Sequence, residues 1–221
     1  MPVTITRRNR GGFAVAAVVA LALSACSPSN GSDEPSTSSS GSPSAGSSSA
    51  VAGGSPTAFA SKGASPTPVP ASSKGPAKNW PVPKMPKAAK EHTVEGAAAF
   101  TKYYFDLIEY TTVTNESAPI SKVSAPNCEL CQDDIIGPAK KNKKNGGWNT
   151  GGEFDLSISS AQKEGAEVWV AFKYMQAAGR VYDANKSLKT ILEETPEPVT
   201  GSFFLGWQGG WRVNSVEFPK S

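Results

Sequence analysis

Two cysteines three positions apart have the clearest capacity for chemistry in this sequence. Cys128 and Cys131 form a Cys-x-x-Cys pair, and such a pair at the start of a helix lowers the pKa of a thiol and favours a thiolate nucleophile. A thioredoxin-like motif follows a strand in a βαβ unit, whereas the residues before Asn127 indicate helix and loop. The sequence therefore favours a structural disulfide, with redox work and metal binding as the alternatives.

Metal binding and histidine catalysis have little support in the sequence. Zinc needs about four ligands, and the chain offers the two thiols and one distant histidine, His92, with no second Cys-x-x-Cys pair. A general base needs a carboxylate partner inside a pocket, but His92 lies before the predicted first helix, where an exposed position is expected. No Gly-x-Ser-x-Gly motif occurs. We therefore expect no metal, no cofactor and no Ser-His-Asp hydrolase.

The third cysteine, Cys26, follows a segment typical of exported proteins. Three arginines among residues 1–12 precede an apolar run from Phe13 to Leu23. At about 1.5 Å per residue this run covers only about half of the ~30 Å hydrocarbon core, which fits a signal peptide and not a membrane span. The small residues Ser24 and Ala25 directly precede the cysteine.

The stretch Leu23-Ser24-Ala25-Cys26 resembles the lipobox, which the bacterial signal peptidase for lipoproteins cuts just before the cysteine. The resemblance implies removal of residues 1–25, a diacylglyceryl lipid on Cys26 and attachment to the extracytoplasmic side of the cell membrane. Two acyl chains anchor a protein stably, at about 0.8 kcal/mol per buried CH₂. The alternative is an ordinary secretory signal with an accidental cysteine near its cleavage site.

The formal net charge of +3 misrepresents the chain that would remain after cleavage. Residues 1–25 carry +3, residues 27–79 carry +1 (three Lys against two acids) and residues 80–221 carry 16 − 17 = −1. Near neutrality removes the positive field expected of a nucleic-acid-binding protein. The one basic cluster is either a solvated helix C-terminus or a patch for anionic lipid or wall polymer; it consists of Lys140, Lys141, Lys143 and Lys144.

A stretch of small and polar residues separates Cys26 from the rest of the chain. Of the 53 residues from Ser27 to Asn79, 43 are Ser, Thr, Pro, Gly or Ala. Such a composition cannot bury enough apolar surface to offset its ordering entropy. The predicted organisation is a signal peptide at 1–25, the lipid-bearing cysteine with a disordered linker at 26–79, and one folded domain at 80–221.

Helical patterns come first in this domain. Thr93 is a good N-cap, and apolar residues recur at spacings of three and four over residues 97–111. A short second helix is predicted near 118–123, and a third over 128–144. Gly137-Pro138 should kink or split the third helix.

Strand patterns follow residue 148, where the apolar period changes from 3.6 to 2. Residues 168–175 are apolar on both faces, which predicts a central strand covered on both sides. Weaker strand or loop pieces are indicated at 181–182 and 190–192, and the clearest hairpin joins 200–207 to 211–218. Helices first and an antiparallel meander last predict an α+β fold, with N-terminal helices packed on a curved antiparallel sheet.

Three parts of the domain resemble an actinobacterial family of small lipoproteins of unknown function: residues 93–100, the Cys128-x-x-Cys131 pair and the ending Gly209-Gly210-Trp211-Arg212-Val213. The ending also resembles nuclear-transport-factor-2-like and SnoaL-like domains. The resemblance covers roughly residues 80–221. It implies a cone-shaped α+β fold with a cavity between the sheet and the helices.

The implied cavity raises the question of catalysis. Enzymes of that superfamily use an acid or a Tyr in the pocket to move protons, and Tyr103, Tyr104 and Asp106 are the nearest candidates here. Asp106, however, is predicted to face solvent on the opposite side of the helix from Tyr104. Aromatic residues could line an apolar pocket or simply form packed core; they are Phe100, Tyr104, Trp169, Phe172, Tyr174, Phe204, Trp207 and Trp211.

The sequence therefore favours a non-enzymatic function. The predicted protein is a lipid-anchored, extracytoplasmic domain that binds an envelope protein or a small apolar ligand. The alternatives are a cavity enzyme of the isomerase or hydratase type and a thiol–disulfide protein of the cell envelope.

Overall fold

A computed structural model describes residues 66–219. The predicted signal peptide, the lipidation site Cys26 and the linker up to residue 65 lie outside the described residues. The helices are α1 (Val94–Thr114), α2 (Ala118–Ser121) and α3 (Gly137–Lys144), with a 3₁₀ turn at Ala88–Lys90 and a π-helical stretch at Cys131–Ile136. The strands are β1 (Trp148–Gly151), β2 (Phe154–Glu164), β3 (Glu167–Gln176), β4 (Gly179–Tyr182), β5 (Leu188–Leu192), β6 (Val199–Trp207) and β7 (Trp211–Glu217).

The strands form two antiparallel sheets. The larger has the order β2-β3-β6-β7 and the smaller has the order β1-β4-β5. The predicted α+β class with antiparallel pairing is confirmed, but the prediction of one sheet is wrong. The weak strand signals at 181–182 and 190–192 belong to β4 and β5; β4 pairs with β1 on one side and with β5 on the other. The short β1, which the sequence did not reveal, gives these two strands a sheet of their own.

Helix α1 forms where the apolar period predicted it. Thr93 is the N-cap, and its side chain accepts a hydrogen bond from the Gly96 N–H at 3.0 Å. Asn115 ends the helix in the left-handed conformation, with φ 59°. The apolar face of α1 is buried against the larger sheet; Phe105, for example, contacts Phe172 and Phe203 with ring centroids 5.1 and 5.7 Å apart.

The predicted third helix is split, as the Gly-Pro pair suggested. The chain forms π-helical turns over Cys131–Ile136, and the Gly137 N–H donates to the Gln132 carbonyl five residues back. Pro138 has no N–H to donate, and its ring would clash with the carbonyl four residues back in an unbroken α-helix. A change of hydrogen-bond register before the proline avoids that conflict, and α3 then runs to Lys144.

Strand β3 is central, but the prediction that both its faces are covered is wrong. Val170 and Phe172, on the side of α1, are 0% exposed. On the other face Trp169 is half-buried and Lys173 is exposed. Trp169 lies opposite Phe204 of β6 in the register, so the apolar residues of this face cover one another across neighbouring strands.

Part of the predicted linker packs with the folded domain. Residues 66–79 contain a hairpin-like turn in which Val69 pairs with Lys78 and Ser72 with Gly75. The indole N–H of Trp148 donates to the Ser72 carbonyl at 2.8 Å. A buried indole needs such an acceptor, and the main chain of the turn supplies it. No helix within residues 66–219 is both long and apolar enough to cross a membrane.

Candidate functional site

The aromatic residues that could have lined an internal pocket divide into two groups. Five are buried, with at most 3% of the surface of each exposed; they are Phe100, Tyr104, Phe172, Tyr174 and Trp211. The other three, Trp169, Phe204 and Trp207, are half-buried. None of the eight lines any of the three cavities described below.

The space between α1 and the larger sheet is filled by aromatic packing. Tyr104 meets Phe203 edge to face at 5.3 Å, and Phe172 meets Phe203 at 4.7 Å. The Tyr104 hydroxyl shares a hydrogen bond of 2.8 Å with Ser124. Burial raises the pKa of Tyr104 well above its usual range. A tyrosine with such a high pKa in a closed core is poorly suited to proton transfer near neutral pH.

His92 lies in an aromatic cluster with the last hairpin. Its ring stacks on Trp207 at 4.5 Å and meets Trp211 edge-on at 5.4 Å. The Trp211 indole N–H donates to the Glu91 carbonyl at 2.9 Å. His92 is exposed, as the sequence indicated. These contacts hold the segment before α1 against the β6–β7 hairpin.

Cys128 and Cys131 form a disulfide whose two residues are 1% and 0% exposed. The segment before it is tied to β7: the Val213 N–H donates to the Val123 carbonyl, and the Ala125 N–H donates to the Val213 carbonyl, each at 2.9 Å. A buried disulfide beside such a connection braces the start of the π-helical stretch. Reactive cysteines are usually partly exposed, and these two are not.

A cleft with acidic walls lies at the connection between β1 and β2. We define the acidic cleft as two cavities that share Glu153, one of about 90 Å³ and one of about 460 Å³. The small cavity is lined by Trp80, Glu109, Thr112, Val113, Gly151, Gly152 and Glu153. The large one is lined by Glu153, Phe154, Asp155, Met175, Gln176, Ala177, Glu194, Thr195 and Pro196.

Two consecutive glycines shape the floor of the cleft. Gly151 and Gly152 have φ values of 67° and 84°, which residues with a Cβ rarely adopt. A Cβ on Gly151 would also lie 2.5 Å from the Ala178 carbonyl oxygen. The glycines connect β1 to β2 in a tight path, which brings Glu153 to the same cavity as Glu109 of α1.

Glu109 is the central ionisable group of the cleft. Its Oε1 accepts a hydrogen bond of 2.6 Å from the Phe154 N–H. Burial raises the pKa of the Glu109 carboxyl, and although the Phe154 hydrogen bond lowers it, the negative charges of Asp106 and Glu153 raise it further. Partial burial also raises the pKa of Asp106, which the sequence correctly placed on the exposed side of the helix. Among the residues that line the cleft, Glu109 is therefore a carboxylate in partly desolvated surroundings.

The small cavity also has an unsatisfied hydroxyl in its wall. Thr112 is 2% exposed, and its Oγ1 finds no hydrogen-bond partner among the described residues. The Thr112 carbonyl, in contrast, accepts from the Asn149 side chain at 2.9 Å. A buried hydroxyl without a partner is rare and costs stability.

A third cavity, of about 410 Å³, lies at the opposite end of the larger sheet and is polar. The Asn214 amide donates to Oε1 of Glu167 at 2.6 Å. A Cβ on Gly206 would lie 2.4 Å from that amide nitrogen, so the glycine makes room for the Asn214 side chain. Arg212 completes the charged lining. The cavity contains no Cys or His and no paired acid and base.

One lysine of the basic cluster forms an ion pair. Lys143 contacts Glu116 at 2.5 Å, and both side chains are about half exposed. The other lysines are exposed on or beside the last turn of α3, where they complement the helix dipole.

Sequence reasoning began the folded domain at Trp80 and did not single out Trp80, Glu109 or Glu153 as site residues. Two signals were available. Asp106 and Glu109 are acids three residues apart in an otherwise largely apolar and aromatic helix, and Gly151-Gly152 follows the start of a strand pattern. Neither signal shows that α1 and the β1–β2 connection meet.

The fold and its cavities define an α+β domain with a closed aromatic core and an acidic surface cleft. The chain belongs to a family of unknown function (DUF6318), which matches residues 66–217. This agrees with the expected membership in a family of unknown function. No curated protein matches the chain. Among solved structures, it is similar to the "Crystal structure of intermembrane space region of chloroplast protein ARC6", with a TM-score of 0.43 and 11% identity over 59% of this chain and 99% of that chain.

Proposed function

We propose that this protein is a lipid-anchored, extracytoplasmic binding protein. The observation that carries the binding role is the contrast between a filled interior and an open acidic cleft. A cavity enzyme of the isomerase type needs a proton-transfer group facing an internal pocket, whereas Tyr104 is enclosed by packing. The cleft instead combines charge, an indole and an apolar wall, which suit the recognition of a ligand.

The anchor rests on the sequence before the domain. An Arg-rich start, the apolar run Phe13–Leu23 and the small residues before Cys26 support export followed by lipidation. The long stretch rich in Ser, Pro, Gly and Ala supports a tether that would hold the domain away from the bilayer. The partners we propose are the membrane, through a diacylglyceryl group on Cys26, and a ligand at the acidic cleft.

The finer fold assignment is also a proposal. A long N-terminal helix lying across a sheet that ends in a Gly-Gly-Trp-Arg-Val hairpin supports kinship with nuclear-transport-factor-2-like domains. On this view the family is an actinobacterial lipoprotein family in which aromatic side chains have filled the superfamily cavity. The burial of both cysteines supports a bracing role for the disulfide over a redox role.

A cell fractionation experiment tests the anchor. The Cys26→Ala variant should leave the membrane fraction and lose incorporation of labelled fatty acid, while Ser27→Ala should behave as the wild type. Equal membrane retention of Cys26→Ala and the wild type would contradict the proposed anchor.

A crosslinking experiment tests the binding role separately. A photoreactive residue in place of Asp155, which lines the cleft, should give one defined adduct in living cells. The same residue in place of Glu164, which is exposed at the end of β2, should not. Identical adduct patterns at the two positions would contradict a ligand site in the cleft.

A further inference from the structure

We propose that the small cavity of the acidic cleft binds an alkylammonium group, and that the adjoining large cavity holds the apolar body that carries it. This inference rests on the proposed binding role of the domain and adds the class of ligand. It is independent of the lipid anchor.

The first observation is that the side chains lining the cleft are negatively charged. Glu109 and Glu153 line the small cavity, and Glu153, Asp155 and Glu194 line the large one. No Lys or Arg of the described chain lines either cavity. Glu109 is partly buried, and the exposed Glu153, Asp155 and Glu194 add negative charge around it. A partly buried carboxylate is stabilised by a nearby cation, so the complementary ligand group is positive.

The hydrogen-bonding groups carry the second step, because they point to a ligand independently of charge. Thr112 lines the small cavity, and its buried Oγ1 has no partner among the described residues. Oε1 of Glu109 is engaged by the Phe154 N–H, while Oε2 accepts no hydrogen bond within the described chain. The residues that line the small cavity therefore include acceptors that the described chain does not engage, on Thr112, Glu109 and Glu153. A primary ammonium has three donors and no acceptor.

The third observation is that the indole of Trp80 also lines the small cavity. Trp80 remains 37% exposed, an unusual state for a large aromatic residue. A cation near an indole face is attracted by the ring quadrupole. The combination of an indole, two carboxylates and a free hydroxyl suits an organic cation. A metal ion is a poorer match, because the described residues contain no group of three or more His, Cys, Asp or Glu that could hold one.

The fourth observation is that the volumes and linings of the two cavities fit a ligand with an ammonium end and an apolar body. A volume of about 90 Å³ corresponds to roughly three water molecules at about 30 Å³ each, which accommodates an ammonium with its first methylene groups. The large cavity continues from the shared Glu153 and adds apolar walls from Phe154, Met175 and Pro196. A ligand with an ammonium end and an apolar body would occupy both. A free alkylamine and a lysine side chain of a partner protein present the same chemistry.

Titration of the full chain in neutral detergent tests the inference. The amide NMR shifts of Gly151 and Gly152 in the cleft floor report binding, and the probes are butylammonium, its neutral analogue 1-butanol and the peptide acetyl-Ala-Lys-Ala-amide. Butylammonium should saturate these shifts and 1-butanol should not. Tighter binding of butylammonium than of the peptide would indicate a free amine as the natural ligand, and tighter binding of the peptide would indicate a lysine side chain.

Matched variants make the test specific. Glu109→Gln keeps an oxygen for the Phe154 N–H and should weaken butylammonium binding about tenfold, as expected for a hydrogen-bonded charge. Trp80→Leu should weaken binding about threefold or more. Glu164→Gln removes the same charge from an exposed turn and should change the dissociation constant by less than about twofold.

Three outcomes would overturn the inference: no butylammonium binding, 1-butanol binding as well as butylammonium, or Glu109→Gln leaving the dissociation constant unchanged. The proposed function would fail differently. Loss of the cell adduct at the cleft would remove the binding role, and membrane retention of Cys26→Ala would remove the anchor. A positive cell adduct combined with no ammonium binding would overturn only the ligand class proposed here.

Discussion

The helix α1 is built differently along its length. In its core region, Phe100 and Tyr104 are 0% exposed and meet aromatic or aliphatic partners from the larger sheet and the disulfide region. In its cleft region, more than one turn further along, Glu109 is held in a partly desolvated position and Thr112 has an unsatisfied hydroxyl. A single helix thus pairs a fully packed region with one in which a buried hydroxyl lacks a partner within the described chain. Such a group is typical of a site that completes its contacts with a ligand.

The core region between α1 and the larger sheet should dominate the stability of the domain. Phe172→Ala removes a side chain that packs against Phe105 and Phe203, and we expect it to lower the free energy of unfolding by about 3–5 kcal/mol. Phe204→Ala, on the half-buried opposite face of the same sheet, is the control and should cost less than half as much. Urea unfolding measures both. Equal losses would mean that the face of the sheet away from α1 is as well packed as the core.

The disulfide should make the next largest contribution. Replacing both Cys128 and Cys131 by Ala removes a crosslink that closes a very short loop, for which chain entropy gives about 2 kcal/mol. We expect a loss of about that size in the free energy of unfolding, with no change in ligand binding at the cleft. A loss of butylammonium affinity in this variant would show that the two regions are coupled.

The sequence predicted the core better than the cleft, and the reason is physical. Core positions of α1 recur with the helical period and the last hairpin has an alternating pattern, so local periodicity identifies both. The capping role of Thr93 and the split at Gly137-Pro138 follow from local chemistry in the same way. The cleft depends on where Trp80, Glu109 and Glu153 meet, and these residues lie on three segments that no period relates. The small sheet was missed as a sheet because β1, β4 and β5 are each too short to give a strong alternating signal.

Thr112 offers a prediction of opposite sign. Thr112→Val removes the unsatisfied hydroxyl, and we expect it to raise the free energy of unfolding by about 1 kcal/mol while weakening ammonium binding. Thr101→Val is a matched control on the same helix, because the Thr101 hydroxyl donates to the Ala97 carbonyl at 3.1 Å. That control should be neutral or destabilising. If Thr112→Val were destabilising as well, the Thr112 hydroxyl would have a structural partner. It would then no longer support a ligand site in the small cavity.

The smallest predicted effect is a pH dependence of the free energy of unfolding that comes from the cleft region and not from the core region. The pKa of Glu109 is raised in the folded protein, mainly by burial, so its favourable contribution to stability is present at low pH and is lost as the pH rises through the folded pKa. Glu109→Gln should therefore gain stability over the wild type at about pH 7, and the gain should shrink toward about pH 4, near the ordinary pKa of a glutamate. Urea unfolding across this range measures the difference, with Glu164→Gln as the exposed control. Because Asp106 and Glu153 remain in the variant, the change isolates one carboxyl. A gain that grew toward low pH would mean that a cationic partner, and not burial, sets the pKa of Glu109.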